Sequence, residues 1–368
     1  MIINRYIVRH IQLGTLGAAL VLLSLALFSV FVGELDNLGT GDYGLLQVIQ
    51  FVALRAPGKL VEFLPLAVLL GSMLSLGALA GNSEIIAMQA SGLSLARLMG
   101  SVIQAALILA ALSFLLADWV VPLSETSARQ LKYSKQTQTT ALRANQGLWI
   151  KDDSRILQIG SLLPNGIARN IEIFQLDAQG KLISITHAES AIPIGNGWEL
   201  HRVEQTIIGS RTTRSQKFDR LIYEGNLSHK LLDVLLIEPR QMSSIDLYAY
   251  ITFLEENKLN AKVEQLLFWQ KLFAPLTIVV MCLMALPFVL GAQRQANSGQ
   301  RLLMGILLGL VFVVVKKLLT QLGVWFDINA FIVALSPNLV FLGLALFLLL
   351  KKRSHASGNR IKSRVTAR

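Results

Sequence analysis

Gly81-Asn82-Ser83-Glu84-Ile85-Ile86-Ala87-Met88-Gln89-Ala90-Ser91-Gly92 is a short polar interruption between two long apolar runs. Its spacing predicts a small helix. Asn82 or Ser83 stands where a side chain can cap the first turn, and Glu84 suits the positive end of the helix dipole. Gly92 is placed to end the helix in a left-handed conformation. Ile85, Ile86, Met88 and Ala90 supply apolar surface beside Glu84 and Gln89. Two readings follow. One is a capped loop between membrane spans; the other is a docking helix that another protein grips and moves.

Outward from this stretch the chain is apolar on a scale that soluble proteins of 368 residues do not show: 53% of residues are hydrophobic and 15% charged. Six runs are long enough to cross a bilayer, at about 11–33, 60–80, 98–121, 267–290, 302–324 and 328–350. The first run is too long for the apolar region of a signal peptide, and no small-x-small cleavage site follows it, so it reads as a retained span. The positive-inside rule sets the orientation. Arg5, Arg9, Arg97, Arg294, Arg301 and the basic tail fall on one side. The other short segments mix Arg55 and Lys59 with Glu34, Asp36, Asp42 and Asp327. Both termini and the 81–92 stretch are therefore expected in the cytoplasm. Trp119, Trp269 and Trp325 sit at span ends on the opposite side, as an interfacial belt requires.

About 140 residues between the third and fourth spans then lie on the outer side. Residues 123–144 read as an extension of the third span. From Gly147 apolar residues alternate with period two between turn signals at Pro164-Asn165-Gly166, Asp177-Ala178-Gln179-Gly180 and Gly195-Asn196-Gly197. That pattern predicts antiparallel strands in a sandwich or open barrel. After Pro239 the run from Ile245 to Glu264 reads helical. The expected division is 1–122 with three spans and a docking helix at 83–91, 123–265 as the outer β domain, 266–353 with three spans, and 354–368 as a cytoplasmic tail. From Lys351 onward the chain carries Lys351, Lys352, Arg353, Arg360, Lys362, Arg364 and Arg368 and no acid, a composition suited to anionic lipid headgroups.

No GxxxxGK[ST], GxSxG or HExxH motif occurs, the five histidines are scattered, and Cys282 is the only cysteine. No metal or cofactor is expected, and ATP hydrolysis would need another subunit. Lys316 and Lys317 interrupt the fifth apolar run roughly 21 Å from its start, in the outer third of a core about 30 Å thick. They either snorkel to the outer headgroups or face a cavity that binds an anionic lipid. The i,i+4 series Gly305, Gly309, Val313, Lys317 and Gln321 suggests one face in contact with protein. Gly71, Ser72, Ser75, Gly77, Ala78 and Gly81 in the second run indicate close helix packing.

Three stretches carry a resemblance to a known family: Ser83 to Gly92, Asp118-Trp119-Val120-Val121-Pro122, and Gln146-Gly147-Leu148-Trp149. With three spans, an outer β domain and three more spans, the chain resembles the YjgP/YjgQ permeases, the LptF/LptG family of the lipopolysaccharide exporter. The run from Gln146 to Asp152 is more like the LptG branch than the LptF branch. The resemblance implies a six-span helical membrane protein with a jellyroll-like periplasmic domain, located in a bacterial inner membrane. It also implies an LptF–LptG heterodimer, two LptB ATPase subunits, the single-span LptC, and lipopolysaccharide handed from the periplasmic leaflet to a β-jellyroll bridge. By the same resemblance, Ser83, Glu84, Ile86 and Met88 would dock the ATPase, and Arg129 and Lys132 would meet lipid phosphates. Asp36 and Asn37 stand where relatives can carry paired lysines. Lys59 is a neighbour of that site, and Lys316 and Lys317 would supply part of the missing charge. Two other classes fit the topology. A self-contained secondary transporter would need a mid-membrane coupling carboxylate, whereas Glu62 and Asp118 lie at span ends. A membrane sensor or scaffold would usually add a cytoplasmic output domain. Copurification with an ATPase separates the first class from both.

Overall fold

The computed structural model describes the chain except for residues 1, 136–147, 153–154, 163–166, 178, 195–196, 210–211, 225–238, 257–258, 290–297 and 366–368. Arg143, Gln146-Gly147, the Pro164-Asn165-Gly166 turn, His229 and Arg294 therefore lie outside the described residues. Two compact units are present. One comprises Met1–Val32, Arg55–Ser124 and Lys262–Arg368; the other comprises Gly33–Leu54 and Glu125–Ala261.

The first unit is helical. It contains most of α1 (Ile2–Glu34) and α2 (Leu45–Gly81), then α3 (Glu84–Ala90) and α4 (Leu95–Leu115). A π-helical turn, Leu116–Val120, follows α4 and leads into α5 (Val121–Lys135), the polar extension of the third span. Among the described residues five helices are long and apolar enough to cross a membrane. A sixth span exists if the pair Lys262–Leu272 and Ala274–Val289 is counted as one, bent by 52°. We label these two helices α7 and α8, followed by α9 (Ser298–Trp325) and α10 (Ala330–Val365).

The small residues of α2 serve three different neighbours. A Cβ on Gly71 would lie 2.4 Å from the Thr15 backbone, and one on Gly14 would lie 1.9 Å from Ser75 Oγ. Here α1 and α2 cross almost backbone to backbone, and Ser75 donates to the carbonyl of His10 at 2.8 Å. Ser72 meets Cys282 of α8 at 3.3 Å. Gly77 makes room for Arg301 of α9, whose guanidinium reaches the level of Gly81. At the opposite end of the unit, Trp269 of α7 and Phe273 just beyond it pack edge-on against Phe331 of α10, while Trp119 and Trp325 remain exposed.

The second unit holds a six-stranded antiparallel sheet whose strands pair in sequence order. They are β1 (Leu148–Asp152), β2 (Arg155–Leu162), β3 (Ala168–Leu176), β4 (Leu182–Ile194), β5 (Gly197–Ile208) and β6 (Thr213–Glu224). The described strands form a meander, without the crossings that Greek-key sandwiches require. Leu157, Ile159, Ile171, Ile173, Trp198, Leu200 and Val203 form its core. A line crosses the sheet at Gly160, Asn170, Glu189, Arg202 and Asp219, where the pairing skips one residue on each strand. Asn170 and Arg202 have φ of 54° and 52° there. Side chains on either side of the line, Ala168 and Ile171 or Leu200 and Val203, both turn into the core, so the period-two pattern changes phase across it. Beyond β6, α6 (Ser244–Glu256) follows. It stops short of α7, so the run expected to be one helix from Ile245 to Glu264 is two.

Candidate functional site

The 81–92 stretch folds as anticipated at its C-terminal end and differently at its start. α3 is seven residues long. The Gly92 amide donates to the Gln89 carbonyl at 3.1 Å and the Leu93 amide to the Met88 carbonyl at 3.0 Å. With Gly92 at φ +100°, these two bonds complete a Schellman motif. Ser83 occupies the N-cap position, but its φ of 61° turns the side chain away and it makes no capping bond. The first turn is held instead by the Ser83 carbonyl, which accepts from the amides of Ile86 and Ala87. Side-chain capping by this residue, expected from the sequence, gives way to backbone strain at a tight reversal.

The helix is seated by Ile85, which is buried, and by Met88, which packs on the same core of Ile7, Leu76, Leu79 and Leu93. Ile86 is half-buried, while Ser83, Ala87, Gln89 and Ala90 are exposed. Glu84 is half-buried and accepts a 2.8 Å hydrogen bond from the Tyr6 hydroxyl of α1. Of the four residues proposed for docking, Met88 thus spends much of its surface on its own protein. The outward face is small and polar.

On α9 the two lysines separate. Gly305 and Gly309 fit against Leu70 and Leu66 of α2, and Phe312 is buried. Lys316 is half-buried, whereas Val313, Lys317 and Gln321 are exposed. The i,i+4 row does not stay on one face. Each step of four residues overshoots a full turn by about 40°, so after three steps the row has rotated about 120° away from the glycines. The packed face runs Gly305, Gly309, Phe312, Lys316 and Gly323 instead. Carrying the antiparallel register of 305 with 70 and 309 with 66 onward brings Lys316 level with Lys59 on α2. Lys59 is paired with Glu62 at 2.8 Å.

Arg129 and Lys132 belong to the second unit, on one face of α5 at i,i+3 spacing. Lys132 Nζ lies 2.6 Å from a Glu34 oxygen and 5.3 Å from the centre of the Phe51 ring. Glu34 also accepts from Asn37 Nδ2 at 3.2 Å. Tyr43 is fully buried, and burial reinforced by the Glu34 carboxylate pushes its phenol well above the usual tyrosine range. Arg129 donates to Gln241 Oε1 at 2.6 Å. The sequence drew attention to the two bases but missed the buried counter-ion of Lys132, because Glu34 reads there as one of several acids at a span end.

One further ion pair was not legible. Asp118, in the π-turn, meets Lys271 of α7 at 3.1 Å, and each side chain is only 13% exposed. Among the described residues no group of three or more His, Cys, Asp and Glu side chains is arranged to hold a metal.

The family model of the lipopolysaccharide export system permeases LptF/LptG matches residues 5–351. The chain belongs to the LptF/LptG family. It is 31% identical to the lipopolysaccharide export system permease protein LptG of Haemophilus influenzae over 353 residues, covering 95% of this chain and 99% of the relative. The LptG protein of Escherichia coli is 31% identical over 360 residues, with 95% and 98% coverage. The LptF protein of Escherichia coli is 25% identical over 367 residues, with 95% and 94% coverage. This LptF/LptG-family chain thus stands nearer to those LptG proteins than to that LptF protein. The family, the long apolar helices and the antiparallel sheet identify a multi-pass inner-membrane permease, a component of a transporter.

Proposed function

We propose that the chain is the LptG-type permease subunit of an ATP-driven exporter that draws lipopolysaccharide from the periplasmic leaflet of the inner membrane. In this reading it pairs with an LptF-type chain, is driven by two LptB-type ATPase subunits, associates with an LptC-type partner, and passes lipid to a periplasmic bridge. Both termini and α3 face the cytoplasm, residues 123–265 form the periplasmic domain, and residues 354–368 lie along anionic headgroups.

The observation that carries the reading is the construction of α3. It is a short helix stopped at a fixed point by the Schellman motif, rooted in the core through Ile85, and offering Ser83, Ala87, Gln89 and Ala90 outward. Such a helix has little to do within its own chain beyond joining two spans, and a rigid outward knob suits the grip of a motor protein. Glu84 lies at the edge of that knob, held by Tyr6.

Arg129 and Lys132 would meet the lipid phosphates from α5, with Lys132 exchanging its Glu34 contact for a phosphate. Lys316, level with Lys59, would extend positive charge along the α2–α9 pair, and exposed Lys317 would add to it. Asp118 is neutralised by Lys271, which leaves it poorly placed to couple an ion gradient.

The test is Glu84→Ala in the full complex. Membrane insertion should stay intact while ATPase association or lipopolysaccharide transport weakens. Normal assembly and transport would remove Glu84 from the interface and leave Ile86 and the exposed small residues to carry docking. If no ATPase subunit copurifies with the unaltered chain, the reading itself fails.

A further inference from the structure

Arg301 is an arginine in the wrong place by ordinary rules. It lies in the first turn of α9, where the helix dipole disfavours a cation, and it is 8% exposed where arginines generally reach water. Its own helix therefore does not explain its position. The neighbouring helix does. The side chain crosses α2 over Gly77, where a Cβ would lie 2.6 Å from Arg301 Cδ, 2.9 Å from Nη1 and 3.0 Å from Nε. The guanidinium then reaches the level of Gly81, whose Cβ would lie 3.6 Å from Nη2. Gly81 is the last residue of α2, so the cation rests by the negative end of that helix dipole. Three residues later α3 begins.

We infer that Arg301 is a positioning residue that couples the docking helix to α9. Gly77 opens a slot that the flat guanidinium fills beside Gly81, and the slot lies at the root of α3. Force applied to α3 passes through the last turn of α2 into the guanidinium and on to α9. Tyr6 gives α1 the equivalent attachment through Glu84. Movement at the cytoplasmic surface then reaches two spans by named side chains instead of by backbone continuity alone. The inference rests on the docking reading of α3 and adds a route from it.

The experiment uses the assembled exporter in proteoliposomes, with ATP hydrolysis and lipopolysaccharide release measured side by side. Arg301→Gln is expected to keep the ATPase bound and hydrolysing ATP, while lipid released per ATP falls roughly tenfold, the scale of losing one charge-assisted contact. Arg301→Lys keeps the charge and should recover much of the loss. Gly77→Val drives the side chain out of its slot and should reproduce Arg301→Gln without touching the arginine. Gly81→Ala, where the added methyl makes only ordinary contact, should be near normal. Equal lipid release per ATP in Arg301→Gln, or in Gly77→Val if the first variant does not assemble, overturns the assignment while leaving docking untouched. Loss of the ATPase subunit together with transport in Arg301→Gln also overturns it, since Arg301 would then support the docking surface itself. Absence of the ATPase from the unaltered complex instead defeats the docking reading.

Discussion

Glu34→Gln tests the second unit at its most concentrated point. The carboxylate is 8% exposed, Lys132 is 26% exposed, and the two charges are 2.6 Å apart. At an effective dielectric of about 20, Coulomb attraction at that distance is of order 6 kcal/mol, most of which offsets the desolvation of the two ions. Breaking fully buried pairs costs about 3–5 kcal/mol, whereas exposed pairs contribute about 1 kcal/mol or less. With one partner buried and the other a quarter exposed, we expect Glu34→Gln to cost about 2 kcal/mol. Lys132→Met should cost about as much, since it strands the carboxylate beside Tyr43 and also removes the cation over Phe51. The double variant should lose less than the sum by about 1.5 kcal/mol. Reversible unfolding in mixed micelles, with the four proteins compared in one cycle, measures that difference. Losses that add to within about 0.5 kcal/mol would refute the idea that Glu34 is the counter-ion of Lys132.

Three other outcomes are expected. Gly71→Ala places a methyl group against the Thr15 backbone, which has no flexible end to yield, and should destabilise the helical unit by about 1–3 kcal/mol in the same unfolding assay. Asp118→Asn should lower the thermal stability of the purified protein by a few degrees, and Lys271→Met in the same chain should restore part of it, because the buried lysine no longer faces a lost charge. Lys317→Glu should reduce lipopolysaccharide-stimulated ATPase activity and transport; unchanged values would remove this exposed lysine from the lipid path.

How much of this was legible in the chain follows from the range of the interactions. The boundaries of α3 were readable because its stop is local: Gly92 alone supplies the conformation that both closing hydrogen bonds need. The spans were readable because about twenty apolar residues suffice to name one. The place of the bend within the fourth span was readable from Pro275, whose missing amide and ring interrupt the helical bonding just after Leu272, but a proline does not announce that the change is 52°. The packed face of α9 was misjudged by extending an i,i+4 row beyond the two turns over which it stays aligned. Arg301 was read only as a cytoplasmic charge, because its burial depends on glycines more than two hundred positions away. The strands were recognised by alternation, but the line through Asn170 and Arg202 reverses that alternation without any glycine at either position to mark it.

The crossing of α1 and α2 at Gly14 and Gly71 has a meaning before the chain is complete. These two helices are synthesised before α3 to α10, and the segment between them, Leu35–Gly44, is short. Their interface asks for nothing made later: two glycines, the Thr15 backbone and the Ser75 hydroxyl are all present once residue 81 has been synthesised. In lipid, where apolar side chains gain little by leaving the tails, such backbone proximity is what lets two inserted helices hold together. The α1–α2 pair thus holds all the groups its own interface needs before the later helices are made. Helices made later pack on α2 as well, α8 through Cys282 beside Ser72 and α9 through Gly305 and Gly309.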